Sequence, residues 1–171
     1  MTPKDAVSKL AHQAREENDY QLLSTGYYAK IVPVGATLIQ EASRSVQDPP
    51  IPVVHDEVQG DIENPMDPNY ARAMEAAEQK RELVATDTII FFGVELRDPV
   101  PSTEGWLPKL LWLQKRGNLD LSSYDLEDEL DIELVFKKYI VVGTMDLIKI
   151  GAMAGLQQGD VEAAMKSFQS P

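Results

Sequence analysis

Most of the chain shows apolar residues at the three- and four-residue spacing of a helix. This spacing predicts a first, weakly apolar helix over about 3–17 and a second helix over about 35–46. Between them lies 27–34, whose sequence YYAKIVPV is rich in aromatic and β-branched residues. That composition predicts a short strand or extended segment between the two helices.

Residues 48–68 mark the sharpest change in composition, because five prolines fall within 21 residues. Proline removes a backbone donor and favours extended geometry in the residue before it, so no regular helix is expected here. A stretch of this length can be a binding segment, but a surface excursion between helices is the more common case. We expect this proline-rich strap to rest on the domain through Val53, Val54, Val58 and Ile62.

The longest predicted helix covers 68–92, with Asp67 as its N-terminal cap and Pro68 in its first turn. A continuous helix of this length would extend about 37 Å, and Gly93 is expected to cap its C-terminus. The β-branched and aromatic run at 88–92 also suits a buried strand, but helix is favoured because no turn residue interrupts the pattern. The predicted apolar face contains Tyr70, Met74, Ala77, Val84 and Phe91.

The second half of the chain predicts further helices. A short, strongly apolar helix is expected within 106–113, with Gly117 just past its end. Residues 120–133 hold seven acids and no base, with leucines at four-residue intervals, which predicts a helix with one solvated acidic face. Two last helices are predicted to begin near Thr144 and near Gly159.

These elements together predict a mainly α fold. We expect a compact multi-helix domain with one or two short extended segments near the N-terminus and a proline-rich strap. The expected organisation is an N-terminal helical arm over 1–24 and a single mostly helical domain over 25–171, with the strap at 48–68 inside it. A length of 171 residues suits one domain with an arm.

Composition narrows the chemistry that this domain can perform. The chain has no cysteine, which excludes a disulfide framework, a thiolate nucleophile and a cysteine-ligated metal site. Its 28 acidic against 16 basic side chains argue against non-specific nucleic-acid binding, which needs clustered Lys and Arg. No apolar run approaches the ~20 residues of a membrane helix, and the polar N-terminus shows no signal peptide. We therefore expect a soluble protein with no nucleic-acid or membrane partner.

No motif for catalysis or metal binding can be read with the required spacing. His55, Asp56, Asp61 and Glu63 could form a metal cluster, but a solvated acidic loop is the favoured interpretation. The chain lacks a phosphate-binding loop and a nucleophile elbow. The dense carboxylates of 120–133 are more typical of a solvated face than of a catalytic pair. We expect no enzyme activity, no cofactor and no metal.

Two surfaces remain as candidates for binding a partner. The acidic stretch could attract a basic or extended partner by complementary charge, or could serve solubility alone. The two tryptophans and the leucines between them could anchor a partner helix, although core packing is the more common role of such residues. The candidate partner-binding residues are Trp106, Leu110, Trp112, Leu113, Asp125, Glu127, Asp128 and Glu129.

A recognisable order of segments runs over about 28–168. A proline-rich strap is followed by a junction of the form ENPxDPxY at 63–70, an alanine- and charge-rich helix, and the ending GVEL at 93–96. The segment GLQQGDVEAAMKSF at 155–168 closes the series. In this order the chain resembles the tail assembly chaperone-type proteins of long-tailed, siphovirus-like bacteriophages and prophages.

This resemblance implies a non-enzymatic chaperone in the cytoplasm of the bacterial host cell. Such a protein binds the phage tape measure protein and keeps it soluble during tail assembly, and the tail tube protein and a second copy of the chain are further expected partners. The resemblance brings no catalytic or cofactor-binding residue. The alternatives are a structural virion component of the tail or head–tail connector, and a small enzyme or metal-binding protein that uses the acids of 55–63.

Overall fold

The computed structural model describes residues 19–58 and 60–153. Over these residues the protein is rich in α-helix and contains a small antiparallel sheet and a separate β-hairpin. The helices are α1 (Ala36–Arg44), α2 (Pro68–Gly93), α3 (Leu107–Lys115), α4 (Glu129–Phe136) and α5 (Thr144–Met153), with a 3-10 turn at Thr103–Gly105 and a π turn at Lys137–Val141. The strands are β1 (Gln21–Leu22), β2 (Tyr28–Ile31), β3 (Val53–Asp56), β4 (Gly60–Glu63) and β5 (Val94–Leu96).

The expectation of a mainly α fold is confirmed as an α-rich fold. The expected one or two extended segments near the N-terminus are five strands among the described residues, because the strap forms a hairpin and β5 follows α2. The helices predicted over 3–17 and from Gly159 onward lie outside the described residues. Gln21 and Leu22 belong to the range expected to be an arm, and they form β1. The division into an arm over 1–24 and a domain stays a prediction. Within the described ranges, no helix has the length and apolar character needed to cross a bilayer.

The sheet has β2 at its centre, with β1 and β5 paired antiparallel on either side. Ala29 lies opposite Leu96, and Ile31 lies opposite Val94. Ala29 and Val94 have no exposed surface, so one face of the sheet belongs to the core. The sequence pattern did not predict β5, because a strand of three residues is too short to show a clear alternation.

A close approach between helix and sheet explains the glycine at the end of α2. A Cβ on Gly93 would lie 3.0 Å from Val34 Cγ2 and 3.3 Å from the Val32 carbonyl oxygen. The Val32 N–H donates to the Gly93 carbonyl at 2.9 Å. Gly93 does not adopt a positive φ, so its predicted role as the C-terminal cap is wrong. Its small size lets α2 end directly against the sheet.

The beginning of α2 agrees with the sequence prediction, and its buried face does not. The Asp67 carboxylate accepts the N–H groups of Asn69 at 2.7 Å and Tyr70 at 3.3 Å. Residues 88–92 are helical, so the alternative of a strand is wrong. The predicted apolar face is only half-buried, because full burial is confined to the C-terminal end that lies against the sheet. The buried positions of α2 are Thr86, Ile89, Ile90 and Gly93.

The prediction of a helix throughout 120–133 is wrong, because α4 begins only at Glu129. Three aspartates instead bond to the backbone two residues ahead. Asp120 accepts the Ser122 N–H at 2.8 Å, and Asp125 accepts the Glu127 N–H at 3.0 Å. Asp128 caps α4 by accepting the Leu130 N–H at 2.8 Å. Such local side-chain bonds compete with helix formation and hold 120–128 in successive turns.

The proline-rich strap contains a β-hairpin that the sequence did not predict. Strands β3 and β4 pair antiparallel, with Val54 opposite Ile62 and His55 opposite Asp61. The expectation that the aliphatic side chains of the strap rest on the domain is wrong. Their exposed fractions are 59% for Val53, 50% for Val54, 92% for Val58 and 39% for Ile62. The strap is joined to α2 by Arg81, which pairs with Asp48.

A buried carboxylate connects α5 to the turn between β1 and β2. Asp146 is 2% exposed and accepts the Ser24 hydroxyl at 2.5 Å and the Ser24 N–H at 3.1 Å. It also accepts the Gly143 N–H at 3.1 Å, just before α5 begins at Thr144. The same turn is held by Thr25, whose hydroxyl donates to the Val141 carbonyl. The sheet and α5 are therefore fixed to one another.

Candidate partner-binding site

Helix α4 carries three acidic side chains among its eight residues, and one side of it is anchored in the core. Val135 and Phe136 are 0% and 1% exposed. The Phe136 ring lies 5.1 Å from the Trp106 ring and 5.6 Å from the Tyr27 ring, centroid to centroid. These contacts fix the position of the helix, and residues on its other sides line two surface grooves.

On one side of α4 lies a groove of about 670 Å³, which we name the acidic groove. It is enclosed by α4, β5 and the loop at 98–103. Its carboxylates are those of Glu95, Asp98, Glu129 and Glu133. Its apolar lining is formed by Leu96, Pro99, Val100, Pro101 and Ile132. The groove therefore combines an apolar lining with negative charge.

One cation lies inside the acidic groove, and it is already paired. Lys137 is 4% exposed, although its side chain lines the groove. Its Nζ lies 2.6 Å from Glu133 Oε1 and donates to the Phe91 carbonyl at 3.1 Å. Asp98 is paired with Arg97 at 3.1 Å. These contacts compensate two of the four carboxylates.

On the other side of α4 lies a second groove of about 300 Å³, between α4 and α2, which we name the apolar groove. Phe92 and Leu130 are 52% and 59% exposed at this groove. Asp87 and Asp131 also line it. The remaining lining residues are Val84, Thr88, Phe91 and Leu134.

A buried polar cluster lies beside the apolar groove. Lys138 Nζ lies 2.5 Å from Asp87 Oδ1 and 2.8 Å from the Tyr124 hydroxyl, which donates to Asp87 Oδ2 at 2.9 Å. Burial lowers the pKa of Lys138, and the Asp87 charge opposes that shift. Burial also raises the pKa of Tyr124 and of Tyr139. The three polar heads satisfy one another, so the cluster joins α2, the 120–128 turns and the π turn.

The structure separates the tryptophans and leucines that the sequence grouped as partner-binding candidates. Trp106 and Leu110 are each 6% exposed and belong to the core. Trp112 is 53% exposed and Leu113 is half-buried, and both line a shallow depression on α3. The Arg116 guanidinium lies 4.3 Å from the Trp112 ring centroid. Trp112 and Leu113 are therefore the accessible pair of the four.

The acidic candidates are all exposed, but they have different roles. Asp125 and Asp128 bond to backbone N–H groups and so shape the turns before α4. Glu127 lies in those turns, and Glu129 alone of the four lines the acidic groove. The sequence prediction missed Glu95, Asp98 and Glu133 as members of this site, because only the fold brings β5 and its following loop beside α4.

The acidic side chains described in the strap are not arranged as a metal-binding cluster. His55 Nδ1 lies 2.7 Å from Asp61 Oδ1, and the two side chains are 75% and 74% exposed. In the part of the chain that the structure describes, no group of three or more His, Asp or Glu side chains is arranged to hold a metal ion.

Comparisons with protein-family models, with curated proteins and with solved structures found no match for this chain. A functional interpretation therefore depends on the geometry of the two grooves and on the order of segments in the sequence.

Proposed function

We propose that this protein is a non-enzymatic assembly factor that binds a segment of another polypeptide. The observation that carries the proposal is the apolar groove, where Phe92 and Leu130 are held more than half exposed by two helices. Apolar side chains gathered on a protein surface commonly mark an interaction site. A groove between two helices suits the apolar face of an amphipathic helix, whose side chains recur at three- and four-residue spacing.

The class of assembly factor that we propose is the tail assembly chaperone of long-tailed bacteriophages, acting in the host cytoplasm. Its partner would be the tape measure protein, a long helical chain whose apolar stripes aggregate unless they are covered. This more specific part rests on the order of strap, junction, helix and closing segment in the sequence. The net charge of −12 supports it, because a strongly charged coat keeps a complex soluble.

Co-expression with a tape measure fragment tests this function. We expect the fragment to stay in the supernatant with the wild-type chain and to precipitate without it. The variant F92S/L130S should lose most of this effect, because it removes the apolar side chains at the groove. The control L38S/M145S changes two exposed apolar side chains elsewhere, which are 43% and 66% exposed, and should keep the effect. Equal precipitation with and without the wild-type chain would reject the proposal.

A structural virion component is the second candidate, and the β3–β4 hairpin favours it. A two-stranded hairpin is marginally stable alone, and this one is exposed on both faces, as expected of an element that pairs with a neighbouring subunit. Mass spectrometry of purified particles separates the two candidates. An assembly factor should be absent from the particles, whereas a structural subunit should be present in fixed copy number.

A further inference from the structure

We propose that the acidic groove binds an extended segment of a partner polypeptide, in which Lys or Arg residues alternate with aliphatic residues. The segment would add to the sheet as a fourth strand along the free edge of β5. This inference goes beyond the proposed function, because it concerns a different groove and holds for any partner that carries such a segment.

The hydrogen-bond pattern of the sheet leaves one edge of β5 without a partner strand among residues 19–58 and 60–153. Within these ranges β5 pairs only with β2. The Val32 N–H donates to the Gly93 carbonyl, and the Arg97 N–H donates to the Tyr28 carbonyl. In an antiparallel pair these bonds alternate, so the backbone groups of Leu96, which lies between residues 95 and 97, are directed away from β2. Leu96 also lines the acidic groove, so this edge of β5 lies beside the groove. The Val94 N–H is bonded to the Ile90 carbonyl, which leaves Leu96 as the residue of β5 that an added strand would meet.

The carboxylates of the acidic groove that form no salt bridge favour a basic segment. Glu133 is paired with Lys137, and Asp98 is paired with Arg97. Among the described residues, Glu95 and Glu129 form no salt bridge; Lys30 lies opposite Glu95 in the strand register but is paired with Asp19. The overall charge of −12 also attracts cations toward the surface before any contact forms. Two Lys or Arg side chains on the incoming segment would neutralise the two uncompensated carboxylates.

The shape and lining of the groove select an extended backbone with aliphatic side chains. Pro99, Val100 and Ile132 provide apolar contacts beside the strand edge. Successive side chains of a strand point to opposite faces, so a segment that alternates basic and aliphatic residues places its basic residues on the Glu95 face of the sheet and its aliphatic residues on the Leu96 face. Strand addition of this kind draws affinity from main-chain bonds and specificity from the alternating pockets.

Fluorescence anisotropy with a labelled peptide of sequence KVKVKVKV and the full chain tests the charge selection. We expect this peptide to bind, and peptides of sequence EVEVEVEV or KPKPKPKP to bind at least tenfold more weakly, because the first has the wrong charge and the second lacks the backbone N–H donor at every second residue. The variant E95Q/E129Q should weaken binding by about five- to tenfold, the effect of losing two partly exposed charge pairs. The variant S102W should abolish binding, because it places a large ring at an exposed position within the groove.

The matched control is E75Q/E82Q, which makes the same change in net charge on the exposed face of α2. It should alter the affinity less than twofold. If both double variants weaken binding equally, only long-range attraction is at work and the groove assignment is wrong. Binding of KPKPKPKP as tight as that of KVKVKVKV, or no binding of KVKVKVKV, would also overturn the proposal.

Hydrogen exchange tests the strand addition itself. With saturating KVKVKVKV, exchange of the Leu96 amide should slow at least about tenfold, because it gains a partner at the open edge. Unchanged exchange at Leu96 would overturn the proposal. A dimer of the chain that S102W disrupts would also overturn it, because the occupant would then be a second copy. The peptide assay contains no tape measure protein, so its failure is distinguishable from failure of the proposed function.

Discussion

Two pairs of short antiparallel strands in this protein have opposite environments. The β2–β5 pair lies under the helices, with Ala29 and Val94 fully buried. The β3–β4 hairpin has a similar length, yet each side chain of β3 is exposed. Backbone pairing is alike in both, so the difference lies in side-chain burial. The buried pair stabilises the fold, whereas the exposed pair is available for contacts with other molecules. Substitutions in the β2–β5 pair should therefore lower the free energy of unfolding, whereas substitutions in the hairpin should affect contacts with other molecules.

Removing the buried Phe136 ring is expected to have the largest effect on the free energy of unfolding. The variant Phe136→Ala should lower the free energy of unfolding by about 3–5 kcal/mol, because it deletes a buried ring that contacts Tyr27 and Trp106. Urea unfolding followed by circular dichroism measures this change. The control Phe92→Ala removes the same ring from a half-exposed position and should cost about 1 kcal/mol or less. Equal costs for the two variants would contradict the assigned core.

Truncating one valine in each strand pair tests the comparison directly. Val94→Ala should cost about 2 kcal/mol, because both lost methyl groups are fully buried. Val54→Ala should change the unfolding free energy by about 0.5 kcal/mol or less, because the side chain is half-exposed. Thermal and urea unfolding of the two variants provide the measurement. A larger cost for Val54→Ala would show that the hairpin stabilises the domain.

The buried polar cluster beside the apolar groove makes the free energy of unfolding depend on pH. Burial raises the pKa of Tyr124 and Tyr139, so both phenols stay protonated in the folded state where unfolded tyrosine ionises. Their stabilisation is present below a pH of about 10 and is lost as the pH rises above it. Burial lowers the pKa of Lys138. This side chain therefore makes the free energy of unfolding rise with pH, but only up to the unfolded lysine pKa of about 10.4.

The variant Tyr124→Phe checks this dependence. At pH 8 it should cost about 1–2 kcal/mol, because Asp87 and Lys138 each lose a hydrogen-bond partner. Above a pH of about 10 the difference from wild type should shrink by as much as ~1.4 kcal/mol per pH unit, because phenylalanine cannot ionise. A constant difference between pH 8 and pH 11 would contradict the burial of Tyr124.

Replacing either of two glycines with similar φ angles is expected to have the smallest effect on global stability. Gly117 has φ +73 and ends α3 through bonds from its N–H to Gln114 and from the Asn118 N–H to Leu113. Gly60 has φ +79 within the hairpin. Gly117→Ala should cost about 1 kcal/mol of global stability. Gly60→Ala should leave global unfolding nearly unchanged and speed hydrogen exchange only within 53–63. Equal global costs would show that the hairpin unfolds together with the domain.

The sequence predicted the elements that have strong local signals. The cap at Asp67, the helix that follows it and the end of α3 at Gly117 all depend on side chains close to the element itself. The sequence did not predict β5 or the acidic groove, because Glu95 and Glu129 are distant in the chain and meet only after folding. It also misjudged 120–128, since aspartate can bond to its own backbone as well as face solvent from a helix.

Photocrosslinking from the apolar groove tests the central claim most directly, namely that this groove receives a helix of the tape measure protein. A benzophenone amino acid would replace Phe92 in one variant and Met145 in another, during tail assembly in the host cell. Both positions are more than half exposed, so the two probes have comparable access to other proteins. The account predicts a crosslink to the tape measure protein from position 92 and little or none from position 145. Equal capture from both positions, or no tape measure protein captured from position 92, would contradict it.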